Sequence, residues 1–542
     1  MTDGAGRGRL QAIREGPNGG QPGRRVRITE VTQRWPIPRH ARDREESEDM
    51  KKTVVLLSAA GVVALLVAGL AGSFGGGATP AVYASRLAGI SGAGITGIQI
   101  QNLDASASAT IQADFYKQGG GVAPVQIQRP DVGPGSAANI YLPQEKDLAN
   151  GAYAAIISAD RQIAAIARTD WSSSGGAAIY SNVQPGTDVT LALAAKKYNG
   201  QTSLVSVQNT DTGQQANAKL QFFKAGEATA MASKDVSIQP GTSVTVDLSK
   251  DGSFASVPEG TFGSMKVTSN VAVGVQTFID FENMAKAVYA FEGVPSEQAA
   301  SKLYAPLIRN AFAGATTGIS VVNPGANPVQ VTLTYYGSPL SQDAQCKSGA
   351  SFVHNGGPVT LPGGAGAVFY QGDVSIPVTG KSTLPTGCLG AAVIEATGGS
   401  LLAIVNDATN ATSAAYNAAS EAQGAKTVAL PLYRNNHTPA QLSTGIQVMN
   451  IGDQTANVTI ELKNNTGTIL SNNCAECTQQ ISKLGSYTWY PPSMPSQAGN
   501  QGVYGSAKLT SNNNQPIVAI VNDASKTGAF DAAIYNGIKA DN

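Results

Sequence analysis

The fold is indicated by a short stretch that the chain contains four times: GIQIQN (97–102), LVSVQN (204–209), GISVVN (318–323) and GIQVMN (445–450). Each copy largely alternates apolar and polar residues and ends in Asn. Alternation with a period of two is the pattern of a β-strand that buries one face. The copies lie roughly 110 to 130 residues apart, which suits one small β-domain per copy.

A second alternating stretch follows each copy after a short polar turn. The four stretches are SATIQADFYK (108–117), NAKLQFFKAG (217–226), PVQVTLTYYG (328–337) and ANVTIELKNN (456–465). Two period-two stretches joined by a few polar residues predict a β-hairpin. The sequence therefore predicts four hairpins in equivalent places.

Each repeat closes with a further strand that ends in Asp and is followed by a Tyr. The strands are AAIARTD (164–170), VGVQTFID (273–280), LAIVND (402–407) and VAIVND (518–523), and the residues concerned are Asp170, Asp280, Asp407, Asp523, Tyr180, Tyr289, Tyr416 and Tyr535. We interpret the Asp residues as caps of the next turn and the Tyr residues as buried rings whose hydroxyls bond to backbone carbonyls. The alternative for the Asp residues is calcium binding, best represented by Asp280, Glu282 and Asn283.

These patterns predict an all-β chain of four tandem immunoglobulin-like β-sandwich domains, each with about six or seven short strands. The predicted domains cover residues 85–190, 191–300, 301–425 and 426–542. Shorter and more regular repeats would be expected of a solenoid or a propeller.

The segment before the repeats has the features of an export signal. Met50-Lys51-Lys52 precedes an apolar run over residues 53–72, and the small residues Val82 and Ala84 predict cleavage after Ala84. The run is also long enough to span a bilayer, so the alternative to a signal peptide over residues 50–84 is an uncleaved membrane anchor. Residues 1–49 are rich in Arg, Gly and Pro and are either a disordered tail or a mis-assigned start, if translation begins at Met50.

The charge balance argues against nucleic acid as a partner. The chain has 37 basic and 37 acidic residues, and the part after Lys52 has a small acidic excess. Charged residues make up 14% of the chain, against about 25% in ordinary soluble domains. A neutral polar surface of this kind is common in secreted proteins that make close contacts with one another.

The four cysteines predict an oxidising compartment. Cys346 and Cys388 fall in the third repeat, and Cys474 and Cys477 in the fourth, so each repeat holds one complete pair. Two disulfides within single domains are expected of an extracellular protein. For Cys474 and Cys477, a redox pair and half of a zinc site are the alternatives.

Three aromatic residues are candidates for contact with a ligand. Trp171, Trp489 and Tyr490 could stack on sugar rings or on a protein partner, and WYPP (489–492) is the best candidate segment. The alternative is that they are strand-end aromatics packed at domain junctions.

The sequence contains no motif of a known catalytic centre. It has no GxSxG, HExxH or phosphate-binding loop, and only His354 and His437 occur after the export segment. We therefore expect no enzymatic activity, no cofactor and no metal.

The repeated strands resemble those of a broad class, the bacterial surface proteins built from tandem immunoglobulin-like domains, as in surface layers, adhesins and sheaths. The resemblance implies an exported structural or adhesive protein of the cell surface, whose partners are copies of itself or other envelope components. A carbohydrate-binding array with polysaccharide as the partner is the alternative, and a secreted hydrolase has the least support. The membrane would be contacted only through residues 53–72, if that run stays uncleaved.

Overall fold

The structure is a computed structural model that describes residues 82–85, 94–119, 123–171, 175–181, 183–281, 288–437, 440–472, 474–528 and 531–541. All of these residues belong to one compact unit. The predicted tail (1–49), the start at Met50 and the apolar run (53–72) lie outside the described residues, as do Glu282 and Asn283 of the calcium alternative.

The first sandwich has two antiparallel sheets of four strands each. The strands are β1 (Val82–Ser85), β2 (Gly94–Asn102), β3 (Ala109–Lys117), β4 (Val125–Val132), β5 (Ala137–Tyr141), β6 (Tyr153–Ala159), β7 (Ile163–Trp171) and β8 (Gly176–Tyr180). Their order is β1-β6-β3-β4 in one sheet, called sheet I, and β5-β2-β7-β8 in the other, called sheet II.

The second sandwich repeats this order, with one long strand that serves both sheets. Its strands are β9 (Gly186–Lys196), β10 (Gln201–Asn209), β11 (Ala216–Lys224), β12 (Ala230–Ile238), β13 (Ser243–Asp247), β14 (Thr261–Phe281), β15 (Val288–Glu292) and β16 (Val294–Pro295). The first half of β14 pairs with β9 and β11, as sheet I requires. Its second half pairs with β10 and β15, as sheet II requires.

The third and fourth sandwiches keep the same two sheets. The third consists of β17 (Lys302–Asn310), β18 (Thr316–Val322), β19 (Val329–Gly337), β20 (Ser351–Val353), β21 (Val359–Leu361), β22 (Gly366–Tyr370), β23 (Cys388–Thr397), β24 (Leu402–Ala408), β25 (Ser413–Asn417) and β26 (Ala419–Ser420). The fourth consists of β27 (Thr427–Asn435), β28 (Leu442–Asn450), β29 (Ala456–Asn464), β30 (Thr478–Ile481), β31 (Ser486–Trp489), β32 (Val503–Ser511), β33 (Ile517–Ser525), β34 (Ala533–Asn536) and β35 (Ile538–Lys539). Sheet II is β22-β18-β24-β25 in the third and β31-β28-β33-β34 in the fourth. The predicted fold class is therefore confirmed.

The strands alternate as the sequence predicts. In β19, Val329, Val331, Leu333 and Tyr335 are buried between the sheets, while the residues between them point outward. The helical segments among the described residues are all 3-10 turns of three residues. The start of β9 at Gly186 places the beginning of the second sandwich before the predicted boundary at 190/191.

The predicted hairpins are wrong, because the two strands of each predicted pair lie in different sheets. In the first sandwich β2 pairs with β5 and β7, whereas β3 pairs with β4 and β6. The recurring Asn at the end of the first strand explains the crossing. The Nδ2 of Asn102 donates to the carbonyl of Val132 at the end of β4 (2.9 Å) and to that of Ala107 in the turn (2.8 Å).

The other three repeats use their Asn in the same way. The Nδ2 of Asn209 donates to Ile238, that of Asn323 to Leu361 and that of Asn450 to Ile481, each a carbonyl at the end of a sheet I edge strand. All four Asn side chains are buried, so a substitution that left these carbonyls unpaired would cost about 1–3 kcal/mol each. The Asn therefore joins sheet I to sheet II at the crossing turn.

The four sandwiches close into a cycle, because the core of each includes side chains of the next. The first core contains Phe278 and Ala290 from the second, the second contains Ile404 and Ala415 from the third, the third contains Ile520 and Ile534 from the fourth, and the fourth contains Ile166 and Ile179 from the first. Each such side chain, when large and fully buried, stabilises the assembly by about 1.5–3 kcal/mol relative to exposure.

The cycle surrounds four short strands, β8, β15, β25 and β34, each of which contacts two of the others. One side chain joins the beginnings of these strands. The carboxylate of Asp531 accepts hydrogen bonds from the backbone N–H of Val288 (2.8 Å), Ser413 (2.8 Å) and Ala532 (2.8 Å). Its own N–H donates to the carbonyl of Gly175 (2.8 Å). Asp531 thus contacts the backbone of all four sandwiches and is fully buried.

A second polar group joins the other ends of the same strands. Ser181, Glu292, Asn417 and Asn536 follow β8, end β15, end β25 and end β34, respectively. The Ser181 N–H donates to the Glu292 carboxylate (2.6 Å), and the Asn417 Nδ2 donates to the Glu292 carbonyl (3.1 Å). Asn536 accepts from the Asn417 N–H (3.1 Å) and donates to its carbonyl (2.7 Å). Burial raises the pKa of Glu292.

We expect no cleavage after Ala84, so that the N-terminus of the protein in cells lies before Val82. Residue Ala84 pairs with Ala155 inside β1, and β1 occupies the sheet position that β9, β17 and β27 occupy in the other sandwiches. Cleavage after Ala84 would remove most of β1 and leave the β6 edge unpaired. N-terminal sequencing of protein from the culture medium or the envelope tests this expectation, and an N-terminus at Ser85 would contradict it.

Replacement of Asp531 should change how stability depends on pH. Burial raises the pKa of Asp531 to about 8, although three backbone N–H donors act in the opposite direction; an exposed Asp has a pKa of about 4. The folded state therefore holds this proton more tightly than the unfolded chain, and the stabilisation is lost as the pH rises through about 8. We expect the Tm of the wild type minus that of Asp531→Asn to fall between about pH 5 and pH 9. A pH-independent difference would contradict the burial of an ionisable group at this position.

Candidate functional site at the domain junctions

The recurring Asp residues do not occupy equivalent positions. The register of sheet II aligns Asp407 and Asp523 with Thr169 in the first sandwich and Ile279 in the second. Asp170 and Asp280 lie one residue later, on the opposite face of their strands, because a one-residue shift reverses the direction of a strand side chain. The predicted equivalence of the four Asp residues is therefore wrong.

Asp407 and Asp523 bind arginines rather than turn backbone. Asp407 accepts from Arg309 Nε (2.9 Å), and Asp523 accepts from Arg434 NH1 (2.7 Å). Both arginines belong to the similar stretches APLIRN (305–310) and LPLYRN (430–435). Asp170 also binds an arginine, but one of its own strand: it accepts from Arg168 Nε (2.8 Å).

The recurring Tyr residues also differ among the sandwiches, although Tyr180, Tyr416 and Tyr535 share one register position. Tyr416 and Tyr535 each donate to a backbone carbonyl, that of Leu307 (2.7 Å) and that of Leu432 (2.6 Å) respectively, and burial raises the pKa of both. The Tyr180 hydroxyl lies 3.1 Å from Thr169 Oγ1. In the second sandwich the register places Phe291 at this position. Tyr289 lies two residues earlier, and its hydroxyl donates to the Gln201 side chain (2.9 Å).

The three predicted contact aromatics do not form a common surface. Trp171 is 1% exposed and packs edge-on against Phe278, with ring centroids 6.2 Å apart. Trp489 is 2% exposed, and its indole N–H donates to the Glu476 carbonyl (2.9 Å). Tyr490 is 37% exposed, with the Lys526 ammonium 5.6 Å from its ring centre. Of the three, only Tyr490 is available for contact.

The four cysteines form the two disulfides that the sequence predicts, Cys346–Cys388 and Cys474–Cys477. Cys346–Cys388 joins the loop after β19 to the start of β23 and closes a separation of 42 residues. In the chain-entropy description a loop of this length contributes about 4 kcal/mol to stability. Cys474–Cys477 fixes the loop before β30, next to Glu476 and Trp489. Disulfides of this kind indicate a protein that resides outside the cytoplasm.

Three junctions between successive sandwiches contain an open groove. Groove A, between the second and third sandwiches, has a volume of about 690 Å³. Groove B, between the third and fourth, has about 600 Å³, and groove C, between the fourth and first, about 560 Å³. These volumes fall in the range of ligand-binding pockets.

The three grooves share the same row of residues across three adjacent strands of sheet II. The row is Tyr370, Gly318 and Asn406 in groove A, Tyr490, Gly445 and Asn522 in groove B, and Tyr141, Gly97 and Arg168 in groove C. Tyr490 belongs to the row as the residue directly after β31, whose last residue, Trp489, pairs with Ile446. The glycine leaves the centre of the row without a side chain, so that the half-exposed tyrosine ring stands beside an open floor. All nine residues line their grooves.

The second sandwich shows the same position in a filled state. Its row consists of Asp247, Leu204 and Phe278. Leu204 and Phe278 are buried in the core of the first sandwich, so the junction between the first and second sandwiches is packed at this position. The fold therefore accepts a large side chain at the centre of the row, and the glycine in the other three sandwiches is not required by the backbone.

The sequence signal for this row is the joint presence of a glycine and a tyrosine in two separate segments of the same repeat. The glycine is the first residue of GIQIQN, GISVVN and GIQVMN, and a tyrosine ends NIY (139–141), VFY (368–370) and TWY (488–490). The second repeat lacks both, with LVSVQN and VTVD in their places. The joint occurrence becomes meaningful only when the pairing of the two strands is known.

Within the described ranges, no three His, Cys, Asp or Glu side chains lie close enough to hold a metal ion. His354 is buried beside Tyr335, whose hydroxyl lies 2.5 Å from its Nδ1, and burial lowers its pKa to about 4. In the part of the chain that the structure describes, no helix is long and apolar enough to cross a membrane.

Comparisons with known proteins find one family, of unknown function (DUF5719), that matches residues 84–249. The match covers the first sandwich and the first part of the second. No curated protein matches the chain. A solved structure of a tetra-tandem repeat in the extending region of a large adhesion protein is 12% identical, over 85% of this chain and 96% of that one. Its TM-score of 0.08 carries no argument about fold or function.

Substitution of a groove glycine by leucine should fill the groove, and at two of the three positions it should do so with little change in stability. A Cβ at Gly445 would meet only Thr488 Cγ2, at 3.9 Å, and one at Gly97 only Tyr141 Cδ2, at 3.8 Å. We expect Gly445→Leu and Gly97→Leu to change the free energy of unfolding by no more than about 1 kcal/mol. At Gly318 a Cβ would lie 2.9 Å from Asn406 Oδ1, so Gly318→Leu should destabilise more. Urea unfolding of the three variants tests this order, and a Gly445→Leu variant as unstable as Gly318→Leu would contradict the open floor.

Proposed function

We propose that this protein is an exported structural or adhesive protein of the cell surface, and that the three grooves are its contact surfaces. The two disulfides support a location outside the cytoplasm. The recurring Asn, Tyr416 and Tyr535 are used to build the sandwiches, which supports presentation of surfaces rather than catalysis.

The observation that carries the proposal is the contrast between the filled and the open rows. One junction shows that Leu204 and Phe278 can occupy this position and add to a core. The other three junctions instead keep a glycine beside a half-exposed tyrosine. Open, partly apolar grooves on a rigid support are typical binding sites for a partner or a ligand.

Exposed apolar side chains lie at two of these grooves. Val374 (55% exposed) and Val378 (58% exposed) lie in a loop of the third sandwich that lines groove A. Leu340 and Tyr490 line groove B from opposite sides of the junction. Side chains of this type are enriched where proteins meet one another, so copies of the chain or other envelope components are the proposed partners of grooves A and B.

The location is tested by the state of the cysteines in cells. Protein denatured directly from cells in the presence of a maleimide should remain unlabelled, and should take up label on all four cysteines after reduction. Cell fractionation should find it in the envelope or the medium. Labelling without reduction, together with recovery from the cytoplasm, would contradict an exported protein.

The contact role is tested by filling the grooves. The wild type should sediment with isolated envelopes or self-associate at micromolar concentration, and Gly445→Leu should weaken this while leaving the Tm unchanged. A fourth-sandwich substitution away from the grooves, Lys483→Ala on an exposed surface, serves as the matched control. A wild type that stays monomeric and does not bind envelopes would overturn the proposed function.

A further inference from the structure

Groove C differs from the other two in the chemistry of its lining. Grooves A and B are lined largely by apolar groups, whereas most of the lining of groove C consists of charged and amide side chains, two tyrosines and a histidine, with Ile95, Ile166 and Leu432 as its aliphatic part. Only 14% of the chain is charged, so a concentration of charged groups in one junction is a local feature that the general composition does not explain.

The floor of groove C rests on a fixed network of ion pairs between two sandwiches. Arg168 of the first sandwich binds Asp523 of the fourth (2.6 Å) and Asp170 of its own (2.7 Å). Asp523 also binds Arg434 (2.7 Å). Arg168 is 3% exposed and Asp523 is fully buried, so the guanidinium groups at the floor are held in one orientation before any ligand arrives.

The walls of groove C present donors and acceptors side by side. Arg129 forms an ion pair with Glu145, and its Nε donates to the Asn139 carbonyl (3.3 Å). The Asn139 amide donates to Gln99 (3.1 Å). Paired amides and carboxylates of this kind bind hydroxyl groups, because a hydroxyl both donates and accepts.

Aromatic rings complete the groove. Tyr141 lies at one wall, and burial together with the nearby Asp170 raises the pKa of its hydroxyl. On the fourth sandwich the His437 and Tyr504 rings meet edge-on, with centroids 4.9 Å apart. The His437 Nδ1 donates to the Gly502 carbonyl (3.0 Å), which fixes the orientation of the imidazole. Half-exposed rings beside polar groups suit the apolar faces and polar edges of sugar rings.

The charges of groove C favour a neutral ligand. Arg129, Arg168 and Arg434 are matched by Glu145, Asp170 and Asp523. A site for phosphate or for an acidic polymer would need unmatched positive charge. The balance leaves hydrogen bonding and ring contact as the means of recognition.

We propose that groove C binds a segment of a neutral oligosaccharide. Tyr141 and Tyr504 contact the faces of sugar rings, while Arg129, Asn139 and Gln99 bind the hydroxyl groups. The proposal rests on the contact role proposed for the grooves and assigns a ligand class to one of them. It places carbohydrate contact at a different junction from the one that Trp489 and Tyr490 indicated.

Direct binding to defined saccharides tests the assignment. The exported full-length protein is titrated calorimetrically with cello-, malto-, manno- and chito-oligosaccharides, and with oligogalacturonate as the acidic counterpart. We expect binding to at least one neutral series and none to oligogalacturonate. Gly97→Leu and Tyr141→Ala should each weaken that binding about tenfold or more. The matched groove B variants, Gly445→Leu and Tyr490→Ala, should bind as the wild type does.

Each outcome has a separate meaning. Three results would overturn the assignment of groove C. The wild type fails to bind any neutral series at millimolar concentration, or it prefers oligogalacturonate, or a Gly97→Leu variant with wild-type Tm binds as the wild type does. Envelope binding or self-association of the same protein preparation is measured in parallel. If that activity is present while saccharide binding is absent, the ligand assignment fails and the proposed contact role stands.

Discussion

The structure depends on one constraint: four edge strands, one from each sandwich, must cover one another around a common centre. An edge strand exposes unpaired backbone groups and apolar side chains. Here β8, β15, β25 and β34 cover one another. Asp531 accepts the backbone N–H groups at the beginnings of β15, β25 and β34 and donates its own N–H to the Gly175 carbonyl before β8. The group around Glu292 joins the other ends of these strands. Because each sandwich contributes side chains to the core of its neighbour, the loss of one sandwich would expose apolar surface on two others. The four repeats are therefore one structural unit.

The same arrangement explains why the repeats diverge where they do. The Asn that joins the two sheets is present in all four repeats, because every sandwich needs its crossing turn. The row across sheet II faces the preceding sandwich and not its own core, so its residues are free to differ. In the second sandwich Leu204 and Phe278 fill the junction, in the third and fourth a glycine leaves it open, and in the first Arg168 makes it polar. The same register position thus gives a packed junction in one sandwich, open junctions in two and a polar junction in one.

The sequence was sufficient for the local and periodic features. Alternation predicted the strands, the repeated Asn-terminated stretch predicted the number of sandwiches, and cysteine placement predicted both disulfides. The sequence did not predict which strands pair with one another. A turn between two alternating strands looks the same whether it forms a hairpin or crosses between sheets. The repeats suggest that Asp170, Asp280 and Asp407 are equivalent, but strand pairing places Asp170 and Asp280 one residue later than Asp407. The closure of the cycle depends on contacts such as Arg168–Asp523, which no local pattern encodes because the residues are 355 positions apart. The groove row was hidden for the same reason, since its members lie on three separate strands.

A double-mutant cycle on Arg168 and Asp523 tests the closed cycle most directly, because this buried ion pair joins the first sandwich to the fourth. The free energies of unfolding of the wild type, Arg168→Met, Asp523→Asn and the double variant give the coupling between the two side chains. Groups in direct contact couple by about 0.5–3 kcal/mol, whereas distant groups add within about 0.5 kcal/mol. Closure of the four sandwiches predicts a coupling above about 1 kcal/mol for this buried pair. Independent, additive effects of the two substitutions would show that the first and fourth sandwiches do not meet.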